Sequence, residues 1–155
     1  MTRLNIARMR LHNQHIANST FDEPGNAVKW LVAVQAQDYL GALWAVGLRT
    51  KNTTEGDVEQ ALADRTIVRT WPMRGTLHFV AAEDIRWMLK LLTPRVISGS
   101  ASRLKQLELD NATFSRSKEV FVRALQGGKQ LPREQMYQVL ESAHISTEGQ
   151  RGIHI

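Results

Sequence analysis

Gln35 and Gln37 interrupt the most apolar stretch of the chain, which runs from Lys29 to Arg49. In an α-helix, side chains two positions apart point about 200° from one another, whereas in an extended or turn segment they share a face. The two carboxamides therefore converge only if the helix stops here. A buried carboxamide without partners costs about 1 to 3 kcal/mol. The pair must then either satisfy the backbone of a helix-to-helix junction or line a polar pocket that handles a ligand.

The rest of the composition narrows the setting. At 155 residues, 43% of them hydrophobic, the chain fits one ordinary domain or two very small ones. Lys and Arg number 20 against 15 Asp and Glu, and the net charge of +5 favours anionic partners such as nucleic acid over a basic surface with no such role. The absence of cysteine excludes disulfides, thiolate zinc sites and cysteine nucleophiles, and suits a reducing cytoplasm. The start of the chain, Met1 to Arg10, is basic but has no apolar run or small-residue cleavage site. No segment has the run of about 18 apolar residues that a membrane span requires.

Periodicity predicts a first helix over residues 4 to 16, with Leu4, Met9 and Ile16 among its apolar positions, broken by Phe21-Asp-Glu-Pro-Gly25. A second helix is expected over residues 26 to 34, and a third, capped by Asp38, to residue 49. Thr54 with Asp57 three residues on opens a fourth, to residue 64, with Val58, Ala61 and Leu62 facing inward. The period then changes: residues 67 to 71 and 76 to 80 are β-branched and aromatic runs separated by Pro72-Met-Arg-Gly75, a hairpin with a basic tip.

From Glu83 the pattern is helical again. Thr93 and Pro94 supply a cap and first-turn proline for a helix to residue 109, and a helix over residues 113 to 126 is stopped by Gly127-Gly128. Pro132 begins another, with Met136, Val139, Leu140 and Ala143 on one side. Thr147 to Gln150 forms a threonine-to-glutamine capping box with only five residues after it, so a truncated chain is expected.

The predicted fold class is mainly α with a β-hairpin: a winged helix-turn-helix, complete over residues 1–82, followed by a second such unit over residues 83–155 that is truncated before its wing. The helix before the wing normally enters the major groove, but here it carries Glu55, Asp57, Glu59 and Asp64. Those carboxylates would repel phosphates, which argues against ordinary operator reading.

Arg69, Trp71, Arg74 and His78 of the hairpin form the second candidate group, the DNA-binding one: arginine makes bidentate bonds to phosphate, and tryptophan stacks on a base turned out of the duplex. The alternative is a surface arginine beside a core tryptophan. His12 and His15 lie three apart, but no third ligand accompanies them, so no metal and no cofactor are expected. No serine elbow, P-loop or dinucleotide fingerprint is present.

Four phrases, Ala33-Val-Gln-Ala-Gln-Asp38, Ala42-Leu-Trp-Ala-Val-Gly-Leu-Arg49, Val68-Arg-Thr-Trp-Pro-Met-Arg-Gly-Thr-Leu-His78 and Gly149-Gln-Arg-Gly-Ile-His154, occur in this order. Together they resemble the winged-helix DNA glycosylases of the AlkZ/YcaQ type, and the resemblance covers the chain as the N-terminal part of a longer family protein. It implies several winged-helix units and a C-terminal β-rich part around a DNA channel, excision of bulky alkylated bases, and in some members the unhooking of interstrand crosslinks. It also implies that Gln35 and Gln37 are the catalytic residues, that the partner is damaged double-stranded DNA, and that this stretch alone lacks parts of the channel and is inactive. Two other functions fit the residues: a non-catalytic winged-helix DNA-binding or regulatory module, and a protein-interaction or dimer surface on the second helical cluster.

Overall fold

The computed structural model describes residues 3–73 and 75–155, and it divides into two compact units, Met1–Val96 and Ile97–Ile155. The first unit contains α1 (Arg3–Asn13), α2 (Pro24–Leu31), β1 (Val34–Gln35), α3 (Tyr39–Gly47), α4 (Glu55–Ala63), β2 (Ile67–Met73) and β3 (Thr76–Ala81). A single 3-10 turn over Ala82–Asp84 then leads into α5 (Ile85–Gln106), in which the division between the units falls. The second unit continues with α6 (Asn111–Ala124), α7 (Arg133–Ser142) and the short α8 (Arg151–His154).

The strands form one antiparallel sheet in the order β1-β3-β2. Four helices and a short strand precede a hairpin whose second strand takes the central place, an order consistent with a winged-helix-like fold. Ala27 and Val28 from α2, Ala42, Leu43 and Val46 from α3, and Val58 and Ala61 from α4 bury against Val34, Ala36, Ile67 and Phe79 of the sheet side. Phe79, fully buried at the centre, is the largest side chain of this cluster; replacing such a residue by alanine typically costs about 3 to 5 kcal/mol.

Local chemistry explains most of the boundaries. Thr54 and Asp57 form the expected reciprocal capping box at the start of α4, and Val58, Ala61 and Leu62 turn inward. Asp38 caps α3, its carboxylate accepting from the Gly41 amide at 3.2 Å. A Cβ on Gly41 would lie 2.6 Å from that carboxylate, so the close approach needs glycine. In the hairpin, Pro72 is accommodated by a register shift between Thr70 and Met73, because proline has no N–H to give to a ladder. Arg74, at the expected tip, lies outside the described residues.

Several expectations are corrected. The second helix ends at Leu31 rather than at residue 34, because Val32 adopts φ 66° and ψ −49°, a conformation that no helix can continue and that a β-branched residue rarely takes. The chain then enters β1, a strand the apolar pattern did not reveal. The first helix stops at Asn13, and Met9 is 50% exposed instead of facing a core; the side chain of Leu4 lies outside the described residues.

In the second half, Thr93 and Pro94 do not start a helix: α5 runs through Pro94 without a break. Pro94 deprives the carbonyl of Lys90 of its donor, but both residues are exposed, so water can satisfy it. The box at Thr147 is not formed either. The hydroxyl and amide of Thr147 both donate to the carboxylate of Glu141, at 2.7 and 2.5 Å, and Gln150 accepts from Arg103. Gly127 and Gly128 take φ 74° and 77° and stop the preceding helix as expected. Leu109, Leu140 and Ile145 are buried in this unit, and Gly152 lets the Tyr137 ring approach, where a Cβ would stand 2.9 Å from it.

Hydrogen bonds from hydroxyls and backbone amides hold Asp57, Asp110 and Glu141 below their ordinary carboxylate values: Thr54 bonds Asp57, Thr113 bonds Asp110, and Thr147 bonds Glu141. A carboxyl depressed in the folded state stabilises the fold above its unfolded pKa, and that contribution disappears as pH falls through the folded value. Asp57→Asn and Asp110→Asn should therefore each flatten the acid limb of the Tm-against-pH curve below about pH 4. An unchanged acid limb in both variants contradicts the assignment.

The strain at Val32 is open to a second measurement. Such a backbone costs about 1 to 3 kcal/mol, and glycine relieves it at an entropic cost of about 0.5 to 1 kcal/mol. Val32→Gly is expected to raise unfolding free energy by about 1 kcal/mol in urea titration; a loss of stability contradicts a strained hinge at this position.

Candidate functional site: a glutamine pair at the sheet edge

The segment from Val34 to Gln37 is extended and alternates in burial, with Val34 and Ala36 inside and Gln35 and Gln37 exposed. That alternation places the two carboxamides outside the core, as the period of a strand demands and that of a helix forbids. Val32 ends α2 and Asp38 starts α3, so only the intervening residues are free to extend. Val34 pairs with Phe79 and Gln35 with His78.

The pairing changes character one residue later. The Ala36 amide donates to the Leu77 carbonyl at 2.8 Å, the first half of the exchange expected of two opposed residues in an antiparallel ladder. The return bond is not made to the Ala36 carbonyl. The Leu77 amide donates instead to Oε1 of Gln37, at 3.1 Å. Because an N–H can be met only by the oxygen of a carboxamide, this bond fixes the orientation of the Gln37 side chain and turns its NH2 group away from the strand.

The displaced Ala36 carbonyl is taken by Arg69. Nε and one terminal nitrogen of the guanidinium donate to it at 3.0 and 2.8 Å, and the same terminal nitrogen lies 3.5 Å from the Gln37 carbonyl. Arg69 stands on β2, so its side chain crosses the central strand to reach β1. Its guanidinium carbon lies 5.4 Å from the centre of the Tyr39 ring, which meets Phe79 edge-on at 6.0 Å. The Tyr39 hydroxyl donates to Glu59 at 3.3 Å, and burial followed by the charge of Glu59 pushes the phenol upward, so it remains a donor.

The hairpin residues singled out in the sequence do not form one group. His78 is paired with Gln35 on one side and Thr70 on the other, which puts the three side chains in one row across the sheet. Arg69 is paired with Phe79 and belongs to the opposite face. His78 is only 9% exposed, and its Nδ1 lies 2.9 Å from the Thr76 carbonyl. A carbonyl only accepts, so Nδ1 carries the proton in this contact and Nε2 is the nitrogen left for another partner. Trp71 is 54% exposed, as a stacking residue would need to be.

Sequence reasoning missed Val32, Tyr39 and the Ala36 and Leu77 backbone groups as parts of the site. Tyr39 carries a faint signal, an aromatic directly after a helix cap; a backbone carbonyl carries none. Concavities of about 720 Å3 beside Asp57 and Lys29, and about 510 Å3 beside Trp44 and Thr54, are lined without either member of the pair. Among the described residues no group of three or more His, Cys, Asp or Glu could hold a metal ion, and no helix is long and apolar enough to cross a membrane.

Comparison with known proteins sets this geometry in context. An interstrand DNA cross-link repair glycosylase from Streptomyces sahachiroi is 31% identical over 83 residues, which are 54% of this chain and 22% of the relative. The chain thus matches less than a quarter of that protein's length. No solved structure matches. Residues 28–154, which include both glutamines and the whole hairpin, match the family described as DNA glycosylase AlkZ-like, and the chain belongs to that family.

Proposed function

We propose that the protein is a DNA-repair glycosylase that hydrolyses the N-glycosyl bond of bulky, N7-alkylated bases in double-stranded DNA, with Gln35 and Gln37 as its catalytic residues. One observation carries the reading: both carboxamides are exposed on an extended segment, inside the part of the chain that matches the family. Crosslink unhooking belongs to the same proposal, supported by the name of the Streptomyces relative. A winged-helix unit over residues 1–82, a second over residues 83–155 and a cytoplasmic setting complete it.

The chemistry suits amides. A purine alkylated at N7 is already cationic, so breaking its bond to C1′ returns an electron pair that neutralises it, and little proton donation is needed. What the reaction requires is a water held on the opposite face of the sugar and dipoles that favour positive charge at C1′. A glutamine does not titrate near neutrality and cannot act as an ordinary base; the proton of the attacking water leaves to solvent. With Oε1 of Gln37 bonded to Leu77, its NH2 group is the part available to a water, while Gln35 has no strand bond of its own side chain among the described contacts. Gln35 would then offer the carbonyl dipole.

The hairpin supplies the DNA-facing side of the proposal. Exposed Trp71 is suited to stacking on an extruded base, and Arg74, three positions later in the sequence, is the cation proposed to accompany it. The exposed acids of α4, Glu55, Asp57 and Glu59, make that helix a poor partner for a phosphate-lined groove. Sequence-specific reading through α4 is accordingly not part of the function proposed.

Replacing Gln35 and Gln37 together by alanine should lower the rate of base release from N7-alkylated duplex DNA by about 100-fold or more, with the far-UV spectrum unchanged. The assay uses the protein containing this chain with alkali treatment to reveal abasic sites. Base release at the unaltered rate sinks the assignment.

A further inference from the structure

Arg69 does not stand ready for a phosphate: its Nε and one terminal nitrogen are both spent on the Ala36 carbonyl, and the guanidinium lies over Tyr39. That carbonyl is the one a regular ladder would give to the Leu77 amide. Two oxygens therefore compete for a single N–H, the Ala36 carbonyl and Oε1 of Gln37. The Gln37 side chain holds it in the structure because Arg69 holds its competitor.

We propose that Arg69 is a positioning residue for the catalytic pair. By keeping the Ala36 carbonyl out of the ladder, it reserves the Leu77 amide for Gln37 and so fixes which end of that carboxamide faces the substrate. The proposal deepens the glycosylase reading and rests on it for its catalytic part. Several features support the role beyond the bonds themselves. The side chain spans from β2 to β1 over the central strand, so it ties the two outer strands at the level of the glutamines. Its planar, two-pronged donor set suits one carbonyl in a way a lysine ammonium cannot reproduce. Tyr39, which lies under the guanidinium, follows Asp38 directly and so fixes the arginine relative to the start of α3.

Without Arg69, the Ala36 carbonyl swings back to the Leu77 amide and the Gln37 carboxamide is released. The backbone pairing gains a regular bond, so the sheet persists while the side chain loses its orientation. A phosphate-binding arginine behaves otherwise. Its loss weakens DNA binding and lowers the dependence of affinity on salt by about one counterion per contact, and it leaves the carboxamide where it was.

The test compares Arg69→Met and Arg69→Lys with the unaltered protein. In nuclear magnetic resonance spectra, the Gln37 side-chain NH2 pair should move to the positions of a free glutamine in Arg69→Met, with the Leu77 amide still protected from exchange. Arg69→Lys, which keeps charge and length, should fall between and serves if the methionine variant does not fold. In base-release assays kcat should drop at least 10-fold with KM and the salt slope of DNA binding unchanged. Combining Arg69→Met with Gln37→Ala should cost no more than the worse single change, because one acts through the other. Unmoved Gln37 resonances in a folded variant, or a salt slope reduced by about one, would overturn the proposal. Failure of the unaltered protein to release any base would remove the glycosylase reading alone, and the amide resonances would still decide the role of Arg69.

Discussion

The organisation of the first unit turns on how one short extended segment is paired. Val34, Gln35 and Ala36 lie against β3 at the edge of a three-stranded sheet, with Val34 and Ala36 in the core and the glutamines outside. An edge strand so short has little hydrogen bonding of its own to hold it. It is held by what flanks it: a helix stopped by a strained Val32, a helix started by Asp38, and the guanidinium of Arg69 laid across the sheet. Each device acts on the backbone, and together they hold the segment from which the two polar side chains project, with Gln37 further held by the Leu77 amide. That is the arrangement expected where side-chain orientation matters for chemistry, since rigid supports limit the freedom a reacting group would lose.

The molecule also shows how a backbone irregularity and a polar side chain can substitute for each other. A ladder that continued through Ala36 would have satisfied Leu77 with a main-chain oxygen and left Gln37 loose in solvent. Exchanging that oxygen for a carboxamide costs nothing in unmade bonds, because the freed carbonyl finds a charged donor. The result is a side chain with one defined end bound and the other presented. Among functional groups that do not titrate, orientation is the main property a fold can control.

Much of this was legible in the residues. The break in the apolar run at Gln35 and Gln37 required an extended segment for the carboxamides to share a face, the Thr54 to Asp57 box named the start of α4, and the β-branched runs around Pro72 marked the hairpin. The family resemblance rested on the same phrases and agrees with the match over residues 28–154. The strand itself stayed hidden because an alternation as short as Val34-Gln35-Ala36, set inside an apolar run, is too brief to tell a strand from a helix. The end of α2 was misplaced because a positive φ at valine has no sequence signature. Pro94 looked like a helix start since proline usually is one, yet an exposed helix tolerates it. For Arg69 the sequence offers phosphate binding or a plain surface position, and neither includes its bonds to Ala36: a side chain's partner on a distant backbone carbonyl is a tertiary fact, created by the crossing of β3, and no local pattern announces it.

The central claim, that Gln37 and not the backbone of Ala36 receives the Leu77 amide, can be measured directly through scalar coupling across hydrogen bonds in isotope-labelled protein. The account predicts a coupling between the Leu77 amide nitrogen and the side-chain carbonyl carbon of Gln37. A coupling to the main-chain carbonyl carbon of Ala36 instead would show an ordinary ladder, with the carboxamide unheld, and would contradict it.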